Sequence, residues 1–192
     1  MPRLTAELVL RAYCQGLFPM ARSRRGPIEW FRPDPRAIFD PRRVHLSRRL
    51  LRTVRSGRFE VRVNADFPAV MAACAARDET WISADVERVY GELHALGFAH
   101  SVEAYREGAL VGGLYGVAIG GAFMGESMFH SATDASKVCF THLVGRLCDR
   151  GYTLLDTQFM TEHLASLGAY YVSAREYDRL LARALQLDCR FD

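Results

Sequence analysis

The 31-residue run at positions 99–129, AHSVEAYREGALVGGLYGVAIGGAFMGESMF, limits the possible folds more than any other part of this sequence. It contains three apolar, strand-like segments, which are separated by Glu107-Gly108 and by Gly120-Gly121. Residue pairs that contain glycine and lie between apolar segments are typical of tight hairpin turns. The run therefore predicts an antiparallel meander of three strands.

Helical spacing of apolar residues surrounds the meander. Ser47 and Ser83 each precede such a segment and are expected to cap a helix, while Thr133 or Asp134 is expected to open another. The expected helices are 4–16, 46–56, 65–76, 83–96, 134–149, 161–167 and 175–187, and the further strands are 59–64, 152–159 and 169–174. This mixture predicts an α+β layer fold.

Charge divides the chain unevenly. Residues 1–58 contain fourteen arginines and four acidic residues, a net charge of +10, whereas residues 59–192 have a net charge of −7. Residues 17–43 are rich in proline and are expected to be extended and irregular. We predict a small basic N-terminal domain over 1–58 and a second domain over 59–192. The basic part indicates a polyanionic partner such as nucleic acid; the alternative is a solvated surface made arginine-rich by codon bias, since Lys137 is the only lysine.

Several classes of protein are not expected. The sequence has no apolar run of about 18 residues that would span a membrane, and its start resembles an amphipathic helix more than a secretion signal, so we expect a cytoplasmic protein. The five cysteines form no CxxC pair and the histidines show no metal-binding spacing, so we expect reduced thiols and no metal.

Three polar residues are candidates for chemistry. Glu126 lies at the end of an apolar strand-like segment, where a carboxylate is costly unless it is paired or has a task. Asp156 and Gln158 are two residues apart on a predicted strand and are therefore expected on one face. The alternatives are that Glu126 pairs with an arginine or caps backbone amides, that Asp156 caps the helix at 161–167 or satisfies a turn, and that Gln158 is a surface strand residue.

Apolar and aromatic residues complete the candidate site. If the strand of Asp156 neighbours that of Glu126, the polar groups converge on an apolar wall, an arrangement typical of a small-ligand pocket. The wall is expected to contain Leu114, Phe123, Phe140, Leu143, Leu147 and Leu155. The candidates for stacking on nucleic-acid bases are Trp30, Phe31, Trp81, Tyr90 and Tyr105. The alternative is packing in the core or in a lid, which the sequence favours for these aromatics other than Trp30 and Phe31.

Ordered sequence blocks along nearly the whole chain match one family. They are YCQGLFPM (13–20), EWFRPDPR (29–36), CAARDETWI (74–82), LHALGFAHSVE (93–103), LVGGLYG (110–116), FMGESMF (123–129), ASK (135–137), LLDTQ (154–158) and SLGA (166–169). With these blocks the chain resembles the leucyl/phenylalanyl-tRNA–protein transferases. The resemblance implies an enzyme that moves Leu, Phe or Met from charged tRNA to the N-terminal Arg or Lys of a protein, which marks that protein for degradation.

The resemblance also implies a fold and a site. The implied fold is an acetyltransferase-like (GNAT) mixed sheet flanked by helices, with a small basic N-terminal domain. The resemblance implies no cofactor and no metal. Gln158, held by Asp156, matches the proposed proton acceptor, and Glu126 matches a residue for catalysis or for gripping the acceptor peptide. The apolar wall matches the pocket for the transferred side chain, while Trp30, Phe31 and Trp81 match aromatics near the terminal adenosine. The arginines expected to hold tRNA phosphates are Arg22, Arg24, Arg25, Arg42, Arg43, Arg48 and Arg49.

The chain departs from the family pattern at Phe31 and Tyr105, which replace tryptophans, and in the mixture of aliphatic and aromatic residues in the wall. The preference among Leu, Phe and Met is therefore open, as is the choice between Glu126 and the Asp156–Gln158 pair for moving the proton. Two alternative functions are an acyl-CoA-dependent N-acetyltransferase, which would need a pyrophosphate loop that the segment before residue 134 lacks, and a non-catalytic module that binds tRNA or a degron.

Overall fold

The computed structural model describes residues 4–76 and 80–192. Within these residues the helices are α1 Ala6–Cys14, α2 Arg48–Arg55, α3 Phe67–Ala75, α4 Ala84–Ala95, α5 Ala135–Asp149, α6 Glu162–Ser166 and α7 Ala174–Ala184, with a 3-10 helix at Pro41–Arg43. The strands are β1 Phe18–Ala21, β2 Ile28–Phe31, β3 Arg36–Phe39, β4 Glu60–Val63, β5 Ala99–Arg106, β6 Ala109–Ile119, β7 Ala122–His130, β8 Leu154–Gln158 and β9 Tyr170–Val172.

A seven-stranded mixed sheet in the order β4-β5-β6-β7-β8-β3-β9 forms the centre of the described chain. Strands β5, β6 and β7 are the predicted antiparallel meander. Helix α5 then connects β7 to β8, and strand β8 pairs with β7 in parallel. The prediction of an α+β fold with a mixed sheet flanked by helices is therefore confirmed.

Capping serines fix the ends of two of the helices. The Ser47 hydroxyl accepts a hydrogen bond from the Leu50 amide, and the Ser83 hydroxyl accepts one from the Val86 amide. Both bonds satisfy a backbone donor that has no partner within the helix. The two predicted caps are confirmed.

Two apolar cores lie on opposite faces of the sheet. One core contains buried residues of α1, α3, α4 and α7, and the other contains those of α5 together with Leu50 and Phe191. Neighbouring residues alternate between the cores, so Tyr115 and Met124 belong to the first while Leu114 and Phe123 belong to the second. This alternation decides which side chains of the meander approach the site.

Strand β3 belongs to the central sheet, where it lies between β8 and β9 and is buried throughout. The segment 17–43 therefore contains more regular structure than its prolines indicate, since β1 and β2 form a hairpin and β3 completes the large sheet. The cause is long-range pairing, which overrides the local signal of the prolines. The division of the chain at residue 58 stays a prediction.

The length and polarity of the described helices decide whether one of them could cross a membrane. Over residues 4–76 and 80–192, each helix is too short or too polar to cross a lipid bilayer.

Candidate active site

Two irregular strand pairings open a site between β7 and β8. The parallel pairing of these strands ends at Met124 and Asp156. Just beyond it, β6 pairs Tyr115 with Ser127 and Gly116 with Gly125, so that Glu126 is an additional residue in β7. Such a bulge bends a strand and changes the direction of its side chains. The carboxylate of Glu126 therefore leaves the regular alternation of the sheet at the point where the two strands separate.

The second irregularity places Gln158. Strand β3 pairs Ile38 with Asp156 and Ala37 with Gln158, so that Thr157 is an additional residue in β8. The backbone of Gln158 is left-handed, with φ of 60°, and its amide donates to Asp156 Oδ1 at 3.0 Å. The Gln158 Nε2 donates to Glu126 Oε1 at 3.2 Å. The three predicted polar residues are thus connected by hydrogen bonds in the order Glu126, Gln158, Asp156.

Two tyrosine hydroxyls hold the carboxylate of Glu126. Tyr13 donates to Oε1 at 2.6 Å, Tyr90 donates to Oε2 at 3.3 Å, and the two hydroxyls lie 2.5 Å apart. Burial raises the pKa of Glu126 to about 7, helped by the charge of Asp156 and opposed by the hydrogen bonds from the tyrosines. Glu126 therefore changes its charge near neutral pH, where a general base works best.

Asp156 has a different environment. Its carboxylate accepts hydrogen bonds from Arg36 Nε at 2.9 Å and from Arg36 Nη2 at 2.6 Å, and Tyr177 donates to it at 2.8 Å. The side chains of Arg36 and Asp156 are 1% and 0% exposed. Burial opposes the charge of Arg36, but the hydrogen bonds and charge of Asp156 raise the pKa of the guanidinium. Asp156 is therefore the partner of a buried cation and holds the main chain of Gln158.

Sequence reasoning missed the role of Arg36, which was counted with the other arginines of the basic N-terminal part. Besides the ion pair, its Nη1 donates to the Gly16 carbonyl at 3.1 Å, and its guanidinium lies 4.9 Å from the ring centre of Phe18 and 4.5 Å from that of Tyr177. The sequence signal for its burial is the apolar run Ala37-Ile38-Phe39 that directly follows it, and the strand Arg36–Phe39 is buried throughout.

A mostly apolar cavity of about 350 Å³ lies beside Glu126 and Gln158, and both residues line it. That volume is within the range of small-molecule sites. Four residues of the predicted wall line the cavity, namely Leu114, Phe140, Leu143 and Leu155. The described residues that sequence reasoning missed include Phe18, Met20, Met128, Phe159 and His163.

Phe123 and Leu147 do not line this cavity, so their assignment to the wall is wrong. Both are 0% exposed and lie deeper in the core of the α5 face. Phe123 stacks on Phe191, with ring centres 5.3 Å apart. A residue near the end of the chain thus occupies the space beside Phe123, which local apolar spacing does not reveal.

The five predicted aromatics are in different environments, and the half-buried Tyr105 lies on β5 with the Arg62 guanidinium 4.4 Å from its ring centre. Trp81 lines the cavity. Trp30 is 37% exposed and lines a separate depression with Arg24 and Arg25. Phe31 packs against Phe18, with ring centres 6.0 Å apart.

Tyr90 is wrong as a residue for base stacking. It is 0% exposed, and its ring lies edge-on to Tyr115 at 5.8 Å. A ring enclosed in this way cannot stack on a base. The hydroxyl of Tyr90 serves Glu126 instead.

The predicted phosphate-binding arginines form two groups. Three lie in or near the connection of β1 to β2, where Arg22 pairs with Glu29 and Arg24 donates to the Ala75 carbonyl. The others lie on the 3-10 helix and on α2, namely Arg42, Arg43, Arg48 and Arg49. All seven are exposed, and their contact with tRNA stays a prediction.

Metal ligands do not cluster in the part of the chain that the structure describes. There, no group of three or more His, Cys, Asp or Glu side chains is arranged to hold an ion, and the five cysteines are free thiols.

Family models match two segments that together span most of the chain. Residues 38–182 match the model described as leucyl/phenylalanyl-tRNA protein transferase, and residues 3–34 match the model of the N-terminal domain of the same protein. The chain belongs to the leucyl/phenylalanyl-tRNA–protein transferase family. The sequence resemblance is thereby confirmed, as is the prediction of a transferase.

Three relatives in this family match over nearly their whole length. The leucyl/phenylalanyl-tRNA–protein transferase of Gloeobacter violaceus is 53% identical over 188 residues, which cover 98% of this chain and 97% of the relative. That of Rubrobacter xylanophilus is 52% identical over 190 residues, covering 98% and 99%. That of Herpetosiphon aurantiacus is 50% identical, covering 98% of each.

Solved structures show a much weaker similarity. L-PGS from Bacillus licheniformis aligns with 78% of this chain and 56% of its own, at 13% identity and a TM-score of 0.45. A GCN5-related N-acetyltransferase-like protein from Streptococcus suis aligns with 88% of this chain and 64% of its own, at 14% identity and a TM-score of 0.43. The fold is defined by its own strand order, β4-β5-β6-β7-β8-β3-β9.

Proposed function

We propose that this member of the leucyl/phenylalanyl-tRNA–protein transferase family moves Leu, Phe or Met from a charged tRNA to the N-terminal Arg or Lys of an acceptor protein in the cytoplasm, which marks the acceptor for N-degron degradation. The observation that carries the proposal is the apolar cavity of about 350 Å³ with Glu126 and Gln158 beside each other in its wall. The cavity binds the side chain of the transferred residue. Glu126 and Gln158 then lie beside the ester that joins this residue to the tRNA.

The transferred side chain is recognised by burial. Leu114, Phe140, Leu143 and Leu155 present apolar surface to it, and burial of a Leu- or Phe-sized side chain contributes about 1.5–3 kcal/mol. One methyl group that does not fit changes the free energy by only about 1–3 kcal/mol. Discrimination among apolar amino acids is therefore incomplete.

The chemistry needs no nucleotide, because an aminoacyl ester is already activated. The nitrogen of the acceptor attacks the ester carbonyl, a peptide bond forms, and the bond to the terminal ribose oxygen breaks. The α-amine of the acceptor has an unperturbed pKa of about 7.7–8.0, so that about a tenth of it is neutral near pH 7. A base with modest strength therefore suffices, and positioning dominates.

We assign the proton to Glu126, on the basis of its position and its raised pKa. Its pKa of about 7 is close to that of the amine, and it lies in the cavity wall, so it takes the proton that the attacking nitrogen loses. Glu126 then gives this proton to the leaving ribose oxygen. Gln158 is too weak a base to keep a proton and orients the amine through its carbonyl oxygen. Asp156 lies outside the cavity lining and acts by fixing Gln158.

A second role for Glu126 follows from the same position. A half-buried carboxylate binds a guanidinium or an ammonium through charge-assisted hydrogen bonds. Glu126 would then select the Arg or Lys side chain of the acceptor and leave the proton to water or to the ribose. The kinetics of Glu126→Gln separate the two roles, because a gripping residue changes KM for the peptide whereas a base changes kcat.

One assay tests the proposal against its alternatives. The protein is incubated with tRNA charged with radiolabelled Leu and with a peptide that begins with Arg; the same peptide with an acetylated N-terminus is the control. Label that appears in the free peptide but not in the blocked one supports the proposal. Modification that requires acetyl-CoA, or binding of tRNA or peptide with no transfer, would replace it with one of the two alternative functions.

A further inference from the structure

A second depression adjoins the cavity. It has a volume of about 730 Å³, and it shares the side chains of Met128 and His163 with the cavity. Its wall contains the first turn of α5 and one residue of α2, Arg49. We call it the α5 groove. Because the two spaces share lining residues, a molecule whose end lies in the cavity can continue into the groove.

Cations dominate the α5 groove. Lys137 and Arg49 line it, and Asp134 is the acidic residue among its described lining residues. Asp134 is 9% exposed and lies 3.7 Å from Lys137 and 3.2 Å from Arg49, so it neutralises part of their charge. The side chain of Lys137 remains 41% exposed. The groove therefore keeps a net positive charge that faces solvent.

Two histidines line the α5 groove. His130 and His163 both line it, and the Nδ1 of His130 lies 3.5 Å from the Ser136 hydroxyl. Burial lowers the pKa of His163, and the positive charges of Lys137 and His130 lower it further. His163 lies where the groove and the cavity meet, since it lines both.

We propose that the α5 groove binds the phosphodiester that precedes the terminal adenosine of the charged tRNA, with Lys137 as its main contact. This proposal rests on the proposed function. The aminoacyl group in the cavity is joined to the terminal ribose, so that the next phosphate lies where the nucleic acid leaves the cavity. The groove provides such a path, and it leads toward the arginines of α2, which the sequence analysis predicts to bind tRNA.

Charge excludes the acceptor protein from this groove. The acceptor begins with Arg or Lys and carries a positive α-amine as well, so that Lys137 and Arg49 repel it. A phosphodiester is instead attracted to them, and the start of the 15-residue helix α5 adds partial positive charge. The donor and the acceptor therefore approach the cavity from different sides.

The test compares donors that differ in their phosphates. They are leucyl-adenosine, which has no phosphodiester, leucyl-cytidylyl-adenosine, which has one, and full leucyl-tRNA. The measured quantity is kcat/KM for transfer to one Arg-peptide, for the wild type and for Lys137→Gln. Lys137→Arg keeps the charge and tests rescue. Arg183→Gln is the matched control, since Arg183 is exposed on α7 and lines neither the cavity nor the groove.

With the dinucleotide and with tRNA, Lys137→Gln should reduce kcat/KM about tenfold, as expected for a charge-assisted hydrogen bond. The loss should disappear with leucyl-adenosine, Lys137→Arg should restore most of it, and Arg183→Gln should cause none. With tRNA as the donor, the negative slope of log kcat/KM against log salt concentration should become less steep by about 0.7 in Lys137→Gln.

Three results would overturn the inference: an equal loss with all donors, no loss with any donor, or a loss with tRNA that is absent with the dinucleotide. Thermal unfolding of each variant verifies that it folds. Failure of the proposed function is distinguishable from these, because the wild type would then transfer Leu from none of the donors.

Discussion

Replacement of Glu126 by Gln should stabilise the protein, and the effect should grow with pH. The carboxyl has a pKa of about 7 in the folded chain and about 4.3 in the unfolded chain. Because the folded state holds its proton more tightly, the stability linked to this group is fully present below about pH 4.3 and is lost as the pH rises through about 7. Gln resembles the protonated form at every pH, so the variant should lose no stability from this position.

The size of the effect follows from the two pKa values. Between pH 5 and pH 8 the difference amounts to about 2.5 kcal/mol of unfolding free energy, which partial exposure of the side chain reduces to about 2 kcal/mol. Gln can keep the contacts, since its carbonyl accepts from Tyr13 and from Gln158 and its amide can donate to the hydroxyl of Tyr90.

The assay is urea unfolding of the wild type and of Glu126→Gln at pH 5, 6, 7 and 8, followed by far-UV circular dichroism. The difference in unfolding free energy should increase in favour of the variant by about 2 kcal/mol from pH 5 to pH 8. A matched control is Glu87→Gln, an exposed carboxyl in the first turn of α4. A difference that stays constant over this range, or a variant less stable than the wild type at pH 8, would refute the reasoning. Confirmation would identify Glu126 as a destabilising charge that is retained for function.

Three more changes test the same arrangement. Tyr13→Phe removes the shortest hydrogen bond to Glu126, so the pKa of the carboxyl should rise and the midpoint of transfer activity against pH should move up by about one unit; an unchanged midpoint would contradict this. Arg36→Met leaves the buried Asp156 without its cation and should lower the unfolding free energy by about 3–5 kcal/mol, whereas a loss below about 1 kcal/mol in urea titrations would show that the pair is solvated. Leu143→Ala enlarges the cavity and should shift competition between leucyl-tRNA and phenylalanyl-tRNA toward Phe several-fold, because about 1–3 kcal/mol depends on fit; an unchanged ratio would place the transferred side chain elsewhere.

The regular parts of the fold could be predicted from local sequence. The meander was visible because its apolar segments and its glycine-containing turns alternate within 31 residues. The caps at Ser47 and Ser83 were visible because a cap needs only a hydroxyl before an apolar periodic segment. These features depend on neighbours in sequence, so a single chain is sufficient to find them.

The geometry of the site depends on long-range contacts and was only partly predictable. The polarity of Glu126, Asp156 and Gln158 is visible in the sequence. The bulges that direct the side chains of Glu126 and Gln158 arise from pairing with β6 and with β3, which the sequence does not show. Arg36 lies 120 residues from its partner Asp156. Because local sequence does not show this partner, an interpretation based on composition groups Arg36 with the exposed arginines. The error at Phe123 has the same cause, since Phe191 packs beside it.

The steady-state kinetics of Glu126→Gln test the central claim most directly, namely that this carboxylate takes the proton during transfer. With saturating leucyl-tRNA and Arg-peptide, kcat of the wild type should fall as the pH decreases through about 7, which is the pKa of Glu126. The variant should lose about 10²–10⁴-fold in kcat, the usual contribution of a general base, with the KM for peptide nearly unchanged. A variant that keeps the wild-type kcat and has a raised KM for the peptide would contradict the claim and leave Glu126 the role of gripping the acceptor.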